Sequence, residues 1–236
     1  MTSAIIVAGG SSRRMGFDKI FTLLHGKPVL YWSLAAFEQC ASVDEILVVT
    51  REDHIADVQK LVRAEKLHKV RAVVAGGAER YLSVWNGLKA VQSEGSQFVA
   101  IHDGARPLVT PQLITDCIEL ASKHGSACCA APVPDTVKRA SYEQIVTEDV
   151  ERENLWAMQT PQVFSSALIL QAYAALMARN EIVTDEVSAV QKLGKRVALL
   201  RNDDHNFKIT FPRDLPFAEQ VLDMRAGKSK RGVEGK

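Results

Sequence analysis

The feature that most constrains this chain is a series of short apolar runs, set at intervals and separated by stretches of helical periodicity. Ala4 to Ala8, Ile46 to Val49, Val70 to Val74, Phe98 to Ile101 and Ala127 to Val133 lack regular polar alternation, as strands do when helices cover both faces of a parallel sheet. Between them Leu30, Leu34 and Phe37, then Ile55, Val58 and Val62, then Ile114, Cys117, Ile118 and Ala121 follow the i, i+3, i+4, i+7 spacing of helices. This βαβαβ order predicts an α/β fold: a mostly parallel twisted sheet, Rossmann-like, with helices on both faces. A chain of 236 residues, 47% of them hydrophobic, can bury the core such a sheet requires, and one domain over residues 1–226 is expected.

After Pro134 the pattern changes. Thr136 to Trp156 is rich in charge, with Tyr142, Ile145, Val146 and Val150 in partial alternation, and predicts an extended hairpin arm over about residues 137–156. Helical spacing returns at Ile169, Ala172, Tyr173 and Leu176 and again at Leu215, Ala218 and Leu222, with a short strand from Arg196 to Leu200 between them. Residues 227–236, glycine-rich and cationic, are expected to form a disordered tail.

Composition narrows the function. With 29 basic against 28 acidic residues there is no chain-wide positive field to support nucleic-acid binding, so any anion must be held by a local cluster. No segment approaches the roughly 20 apolar residues of a membrane span, and no basic n-region precedes the first apolar run. A cytoplasmic protein is the expectation. Cys40, Cys117, Cys128 and Cys129 lack paired CxxC spacing and read as buried, reduced residues.

In a doubly wound sheet the ligand lies beyond the carboxyl ends of the strands, so the loops after the strands should carry the chemistry. The first strand runs into Ala8-Gly9-Gly10-Ser11-Ser12-Arg13-Arg14-Met15-Gly16, with Lys19 close behind. Glycines admit a phosphate close to the backbone, exposed N–H groups donate to it, and Arg and Lys neutralise it. A dinucleotide fingerprint would need glycine at Ser11, and a P-loop would need Lys-Ser or Lys-Thr after Gly16, where Phe17 and Asp18 stand. The loop therefore predicts polyphosphate binding of another kind.

The third strand exits into Gly76-Gly77-Ala78-Glu79-Arg80-Tyr81-Leu82-Ser83-Val84, where backbone amides and the Ser83 hydroxyl could meet a base or phosphate as readily as form a plain turn. The fourth ends in His102-Asp103-Gly104-Ala105-Arg106-Pro107. Asp103 there can reach a Mg²⁺ carried by a triphosphate, and Arg106 can pair with a phosphate or orient the carboxylate. His102 reads as a satisfied packing residue, and so does Trp85. Further segments, Asp135 to Arg139, Arg152, Thr160-Pro161-Gln162, Thr184-Asp185-Glu186 and Asn206 to Thr210, sit at or near expected element ends, Asp185-Glu186 suiting a helix N-terminus.

Taken together and in order, Ala8 to Met15, Gly76 to Val84, His102 to Pro107, Ala131 to Arg139, Thr160 to Gln162, Thr184 to Glu186 and Asn206 to Thr210 resemble the successive motifs of the 2-C-methyl-D-erythritol 4-phosphate cytidylyltransferase family, from Ser3 to about Met224. The resemblance implies transfer of CMP from CTP to methylerythritol phosphate with release of pyrophosphate, in the non-mevalonate route to isoprenoids, with Mg²⁺ as cofactor. It also implies a homodimer whose arm reaches over the partner. Ala8, Gly9, Gly10, Arg14 and Lys19 would hold the triphosphate, and Gly76, Gly77 and Ser83 the cytosine end. Lys208 would reach the α-phosphate, making Arg14, Lys19 and Lys208 the catalytic cations. Asp103, Arg106, Thr136, Thr160 and Lys208, with Arg152 donated by the neighbouring subunit, would surround the methylerythritol phosphate.

Three other readings share parts of this pattern. The opening motif is similar to that of molybdenum-cofactor guanylyltransferases, and most motifs are shared with ribitol-5-phosphate cytidylyltransferases, which typically carry a bulkier residue at Ala105. A nucleotide-binding module without turnover is the third.

Overall fold

The computed structural model describes residues 1–10, 16, 18–91 and 95–227. Arg14 and most of the C-terminal tail lie outside the described residues. Eleven strands and seven helices are described: β1 (Thr2–Ala8), β2 (Leu23–Leu24), β3 (Lys27–Pro28), α1 (Val29–Gln39), β4 (Glu45–Thr50), α2 (Ile55–Ala64), β5 (Val70–Ala75), α3 (Arg80–Ala90), β6 (Phe98–Asp103), α4 (Pro111–His124), β7 (Ser126–Pro132), β8 (Val137–Ala140), β9 (Val146–Val150), β10 (Trp156–Ser165), α5 (Ser166–Arg179), α6 (Glu186–Gln191), β11 (Ala198–Arg201) and α7 (Asp214–Arg225).

Seven strands form the central sheet in the order β11-β7-β10-β6-β1-β4-β5. The pairs β1 with β4, β1 with β6, β4 with β5 and β11 with β7 are parallel, while β10 runs antiparallel to both β6 and β7. Side chains alternate across the sheet as the pleat demands. Ala4, Ile6, Val48 and Ala100 face α1, α2 and α4 on one side, and Ile5, Val49, Val99 and Ile101 face α3, α5 and α6 on the other. Each face thus has its own buried core, as the apolar runs predict. The third helix comes close to the sheet through Gly87, where a Cβ would stand 2.7 Å from Ile5 Cγ2 and 2.9 Å from Val49 Cγ2.

The helix boundaries follow local chemistry. Thr110 caps α4 by accepting from the Leu113 N–H at 3.2 Å, Pro111 occupies the first turn, and Gly125 ends the helix at φ 82°. A third apolar cluster, Leu24, Val29, Leu108, Ile209, Ala218 and Val221, packs α7 and the segment after Asn206 against the small β2–β3 hairpin. That cluster brings the chain's late segment, including Lys208, back to the strand exits.

Two expectations need correction. The arm is a two-stranded hairpin of β8 and β9 that ends before Trp156, which is the first residue of a sheet strand instead. Thr160-Pro161-Gln162, expected at an element end, lies inside β10, where the pairing with β7 is irregular between Met158 and Gln162. A proline donates no ladder hydrogen bond, so an interior strand carrying one bulges, and the polar, interrupted sequence hides the strand.

Candidate active site

The chain winds outward from β1 to β4 and β5 and then returns through α3 to β6, on the other side of β1. The carboxyl ends of β1 and β6 therefore flank a switch point, where a crevice opens in such sheets. A cavity of about 670 Å³ lies there, lined by Val7, Ala8, Gly9, Gly10, Lys19, Ile20, Arg51, Gly77, Ala78, Glu79, Arg80, Ser83, Asp103, Ala105, Lys208 and Thr210. Among the described residues four cations and two carboxylates line it, which suits a polyanion.

The β5 exit is shaped by close packing. The Gly76 N–H donates to Thr50 O at 2.7 Å, and a Cβ on Gly76 would stand 2.7 Å from Ser83 Oγ, one on Gly77 2.4 Å from Leu82 Cβ. Ser83 Oγ accepts from the Gly77 N–H at 3.1 Å, so the helix start and the glycine turn are tied together. This arrangement leaves no room for a side chain at either glycine and keeps the backbone close to the cleft.

Asp103 is the electrostatic centre. Its Oδ1 accepts from Arg80 Nε at 3.1 Å, its Oδ2 accepts from Lys208 Nζ at 2.9 Å, and Arg106 Nε lies 3.6 Å from Oδ2. Burial alone would raise the Asp103 carboxyl, but Arg80, Lys208 and Arg106 outweigh it and hold the group well below the usual carboxylate range. The backbone is fixed as firmly. The Asp103 N–H donates to Thr160 Oγ1 at 3.1 Å, Thr160 Oγ1 lies 3.0 Å from His102 Nδ1, and His102 Nε2 lies 3.2 Å from Arg106 O. A carbonyl can only accept, so Nε2 carries the proton, Nδ1 is the acceptor and the Thr160 hydroxyl donates to it. Burial pushes the His102 pKa down to about 3, which agrees with a neutral ring.

Arg106 is held from the side by Asn206 O at 2.7 Å, Asn206 Nδ2 donates to Thr160 O at 2.8 Å, and the Ile209 N–H donates to Ala105 O at 2.8 Å. These bonds dock the segment bearing Lys208 onto the β6 exit, and Lys19 Nζ reaches it from the opposite wall by donating to Ile209 O at 3.1 Å.

The structure thus brings Ala8, Gly9, Gly10, Lys19, Gly77, Ser83, Asp103 and Lys208 to the lining of one cleft. Gly76, Arg106 and Thr160 sit directly behind it, Thr160 being 3% exposed with its hydroxyl committed to Asp103 and His102. Thr136 and Arg152 are not among the lining residues. Both are exposed at the base of the arm, where Arg152 Nη1 donates to Pro134 O at 2.6 Å.

Arg80 and Arg51 line the cleft without having been singled out from the sequence, and Glu186, expected as part of a helix N-terminus, pairs with Arg80. Arg80 Nη1 and Nη2 donate to Glu186 Oε1 and Oε2 at 2.7 and 3.0 Å, and Tyr173 OH donates to Oε1 at 3.0 Å. Asp185, as expected, caps a helix, accepting from the Ser188 N–H at 2.9 Å. Its neighbour Glu186 turns inward with no exposure, which a cap motif does not announce.

The donor chemistry admits Mg²⁺ in one form. Among the described residues no group of three His, Cys, Asp or Glu side chains converges as a metal cage. Asp103 already meets a cation at each oxygen, so a free divalent ion gains little there. An ion held chiefly by phosphate oxygens and water needs at most one protein oxygen, and the second lone pairs of Asp103 fit that requirement.

The family model for 2-C-methyl-D-erythritol 4-phosphate cytidylyltransferase matches residues 2–224. The chain belongs to this family. The protein named 2-C-methyl-D-erythritol 4-phosphate cytidylyltransferase in Halalkalibacterium halodurans is 42% identical over 222 residues, covering 93% of this chain and 96% of that one. The solved 4-diphosphocytidyl-2C-methyl-D-erythritol synthase of Anaerococcus prevotii superposes with a TM-score of 0.82 at 30% identity, covering 94% of this chain and 96% of its own. The cytidylyltransferase of Thermus thermophilus gives 0.76 at 32% identity, with 92% and 97% covered. The cytidylyltransferase assignment stands above the guanylyltransferase and ribitol alternatives, and the mostly parallel α/β architecture is the family's.

Proposed function

We propose that the protein transfers CMP from CTP to 2-C-methyl-D-erythritol 4-phosphate, releasing pyrophosphate. The observation that carries this is the cleft at the exits of β1 and β6, where Arg80, Lys208 and, from behind, Arg106 meet Asp103 and Lys19 lines the same cavity, in a chain of this family. Two anions must approach one another for this reaction, and the cleft supplies the positive charge that permits it.

The phosphate oxygen of methylerythritol phosphate attacks the α-phosphorus of CTP in line with the departing pyrophosphate; the new P–O bond forms as the α–β bridge breaks, and the electron pair leaves on pyrophosphate. No protein nucleophile is needed. Catalysis then consists of positioning and charge stabilisation. Ala8, Gly9 and Gly10 offer backbone to the triphosphate, with Lys19 and, beyond the described residues, Arg14 neutralising it. Gly77 and Ser83, with Gly76 behind them, serve the base, and Lys208 serves the α-phosphate. Asp103 accepts from the polyol while Arg106 and Thr160 hold it in place. Mg²⁺ carried on the triphosphate would supply further neutralisation, with Asp103 its single protein ligand.

The arm completes the reading. Its exposed Tyr142, Ile145 and Val146, and the placement of Thr136 and Arg152 away from the cleft lining, support a homodimer in which each arm serves its neighbour's site. The described residues contain no helix long and apolar enough to cross a membrane, and a cytoplasmic enzyme acting on small phosphates without nucleic acid is the consistent setting.

Pyrophosphate release with Mg²⁺, crossing CTP, GTP, UTP and ATP with methylerythritol 4-phosphate and ribitol 5-phosphate, tests the proposal. Release with CTP and methylerythritol phosphate alone is expected. Preference for ribitol phosphate or GTP would move the protein to a sister activity, and silence from folded protein would favour a binding module.

A further inference from the structure

Arg80 is fixed from behind the cleft by a buried carboxylate. It opens α3, lines the cavity, and spends both terminal nitrogens on Glu186 while its Nε holds Asp103 Oδ1 at 3.1 Å. Glu186 has no exposure, and a buried carboxylate is costly unless fully paired. Here a bidentate guanidinium and the Tyr173 hydroxyl pair it. Tyr173 is itself fully buried and stacks on Trp85 with ring centroids 6.2 Å apart and 10° between planes. Three helices, α3, α5 and α6, therefore converge on one guanidinium whose remaining nitrogen, Nε, donates to Asp103 in the site. A pair that merely welded helices together would need no contact in the cleft.

Lys208 is placed differently. Its side chain is 35% exposed, and its ammonium holds the other Asp103 oxygen from a segment docked onto the strand exits. An ammonium is a mobile point charge, whereas a forked guanidinium held at three nitrogens is fixed in direction. We propose that Glu186, with Tyr173, is a positioning residue that locks Arg80 against Asp103, so that Asp103 keeps its orientation toward the polyol when Lys208 is drawn to a substrate phosphate. This role rests on the reading of the cleft as the methylerythritol phosphate site.

The test uses the full-length protein with CTP, Mg²⁺ and methylerythritol 4-phosphate. Glu186→Gln keeps the shape of the side chain but turns a donor toward a guanidinium that requires acceptors. The KM for methylerythritol phosphate is expected to rise about tenfold or more while the Kd for CTP, measured by titration, stays within about twofold. Glu186→Asp, which keeps the charge, recovers most of that loss. Tyr173→Phe removes one hydroxyl and gives a smaller rise, about threefold, in the same constant; it supplies the readout if Glu186→Gln folds poorly. Arg80→Lys combined with Glu186→Gln is no worse than the worse single variant, as expected of groups acting as a unit.

An unchanged KM for the polyol phosphate in folded Glu186→Gln or Tyr173→Phe overturns the proposal. So does a parallel rise in the polyol KM and the CTP Kd, the mark of general loosening. Wild-type protein inactive with these substrates would remove the reading of the cleft itself, and this role with it.

Discussion

The ammonium of Lys208 lies 2.9 Å from Oδ2 of Asp103, 105 positions earlier in the chain. The two are brought together by the Ile209 N–H donating to Ala105 O and by Arg106 reaching Asn206 O, so the contact depends on main-chain docking rather than on the ion pair alone. Removing the ammonium should therefore leave the architecture standing. Lys208→Ala, and separately Lys19→Ala, are expected to lower kcat by two or three orders of magnitude, about the loss seen when one preorganised charge-stabilising donor is removed. Circular dichroism and steady-state kinetics check this together. Near-wild-type turnover in either variant would take that lysine out of the mechanism.

The buried imidazole makes a prediction about acid. Unfolded histidine takes up a proton below about pH 6.5, whereas native His102, with its pKa pushed down to about 3 by burial, does not. Between those values the unfolded state binds more protons, so stability falls as the pH is lowered. The loss reaches at most about 3 kcal/mol by pH 4 at roughly 1.4 kcal/mol per unit. His102→Gln keeps a donor and an acceptor but does not titrate. Its unfolding midpoint in urea is expected to drop less between pH 7 and pH 4 than that of the wild type, and equal slopes would show that His102 does not govern the acid limb. Asp103 acts lower on the scale: its depressed carboxyl contributes stability that is present above about pH 4, the unfolded value, and is lost only as pH falls toward its native pKa.

Much of this arrangement was legible in the residues themselves. Apolar runs marked five of the seven sheet strands because parallel strands buried on both faces need no polar alternation, and a sixth, Arg196 to Leu200, was placed to within two residues at its start. Strand β10 was not, since Thr160, Pro161 and Gln162 read as an element end and only the neighbours β6 and β7 make them part of a strand. The cleft residues at strand exits were visible because the doubly wound topology dictates where to look. Glu186 was hidden for the opposite reason. Its local sequence satisfies a capping pattern completely, and nothing within ten residues reveals that its partner is Arg80, 106 positions away. Phe211 has Arg213 4.8 Å above its ring and donates its N–H to Asp214 Oδ2.

The capping of α4 offers a control on fold alone. Thr110→Ala removes the acceptor for the Leu113 N–H and should cost about 1 kcal/mol of stability, a fall in Tm of about 2–4 °C for a chain of this size. Turnover with CTP and methylerythritol phosphate is expected to be unchanged. A kinetic defect would mean that α4 is coupled to the cleft in a way its position does not indicate.

The proposed arm exchange can be tested by complementation. Lys208→Ala disables a cleft and Arg152→Ala disables an arm, so each homodimer is inactive under the proposal. When the two are unfolded together and refolded as a mixture, a dimer containing one of each has one cleft with both groups intact, provided the arm serves the neighbour. Half of the dimers are mixed and one site in two is whole, giving roughly a quarter of wild-type activity for a two-fold symmetric pair. No recovery would place Arg152 in its own subunit's site or outside catalysis.

The most direct test of the central claim is to identify the product bond. Phosphorus NMR of a reaction containing the protein, Mg²⁺, CTP and methylerythritol 4-phosphate should show an unsymmetrical diphosphate joining CMP to methylerythritol phosphate, appearing in equal amount with inorganic pyrophosphate. Appearance of orthophosphate and CDP in their place, or CTP left intact beside folded protein, would contradict the account.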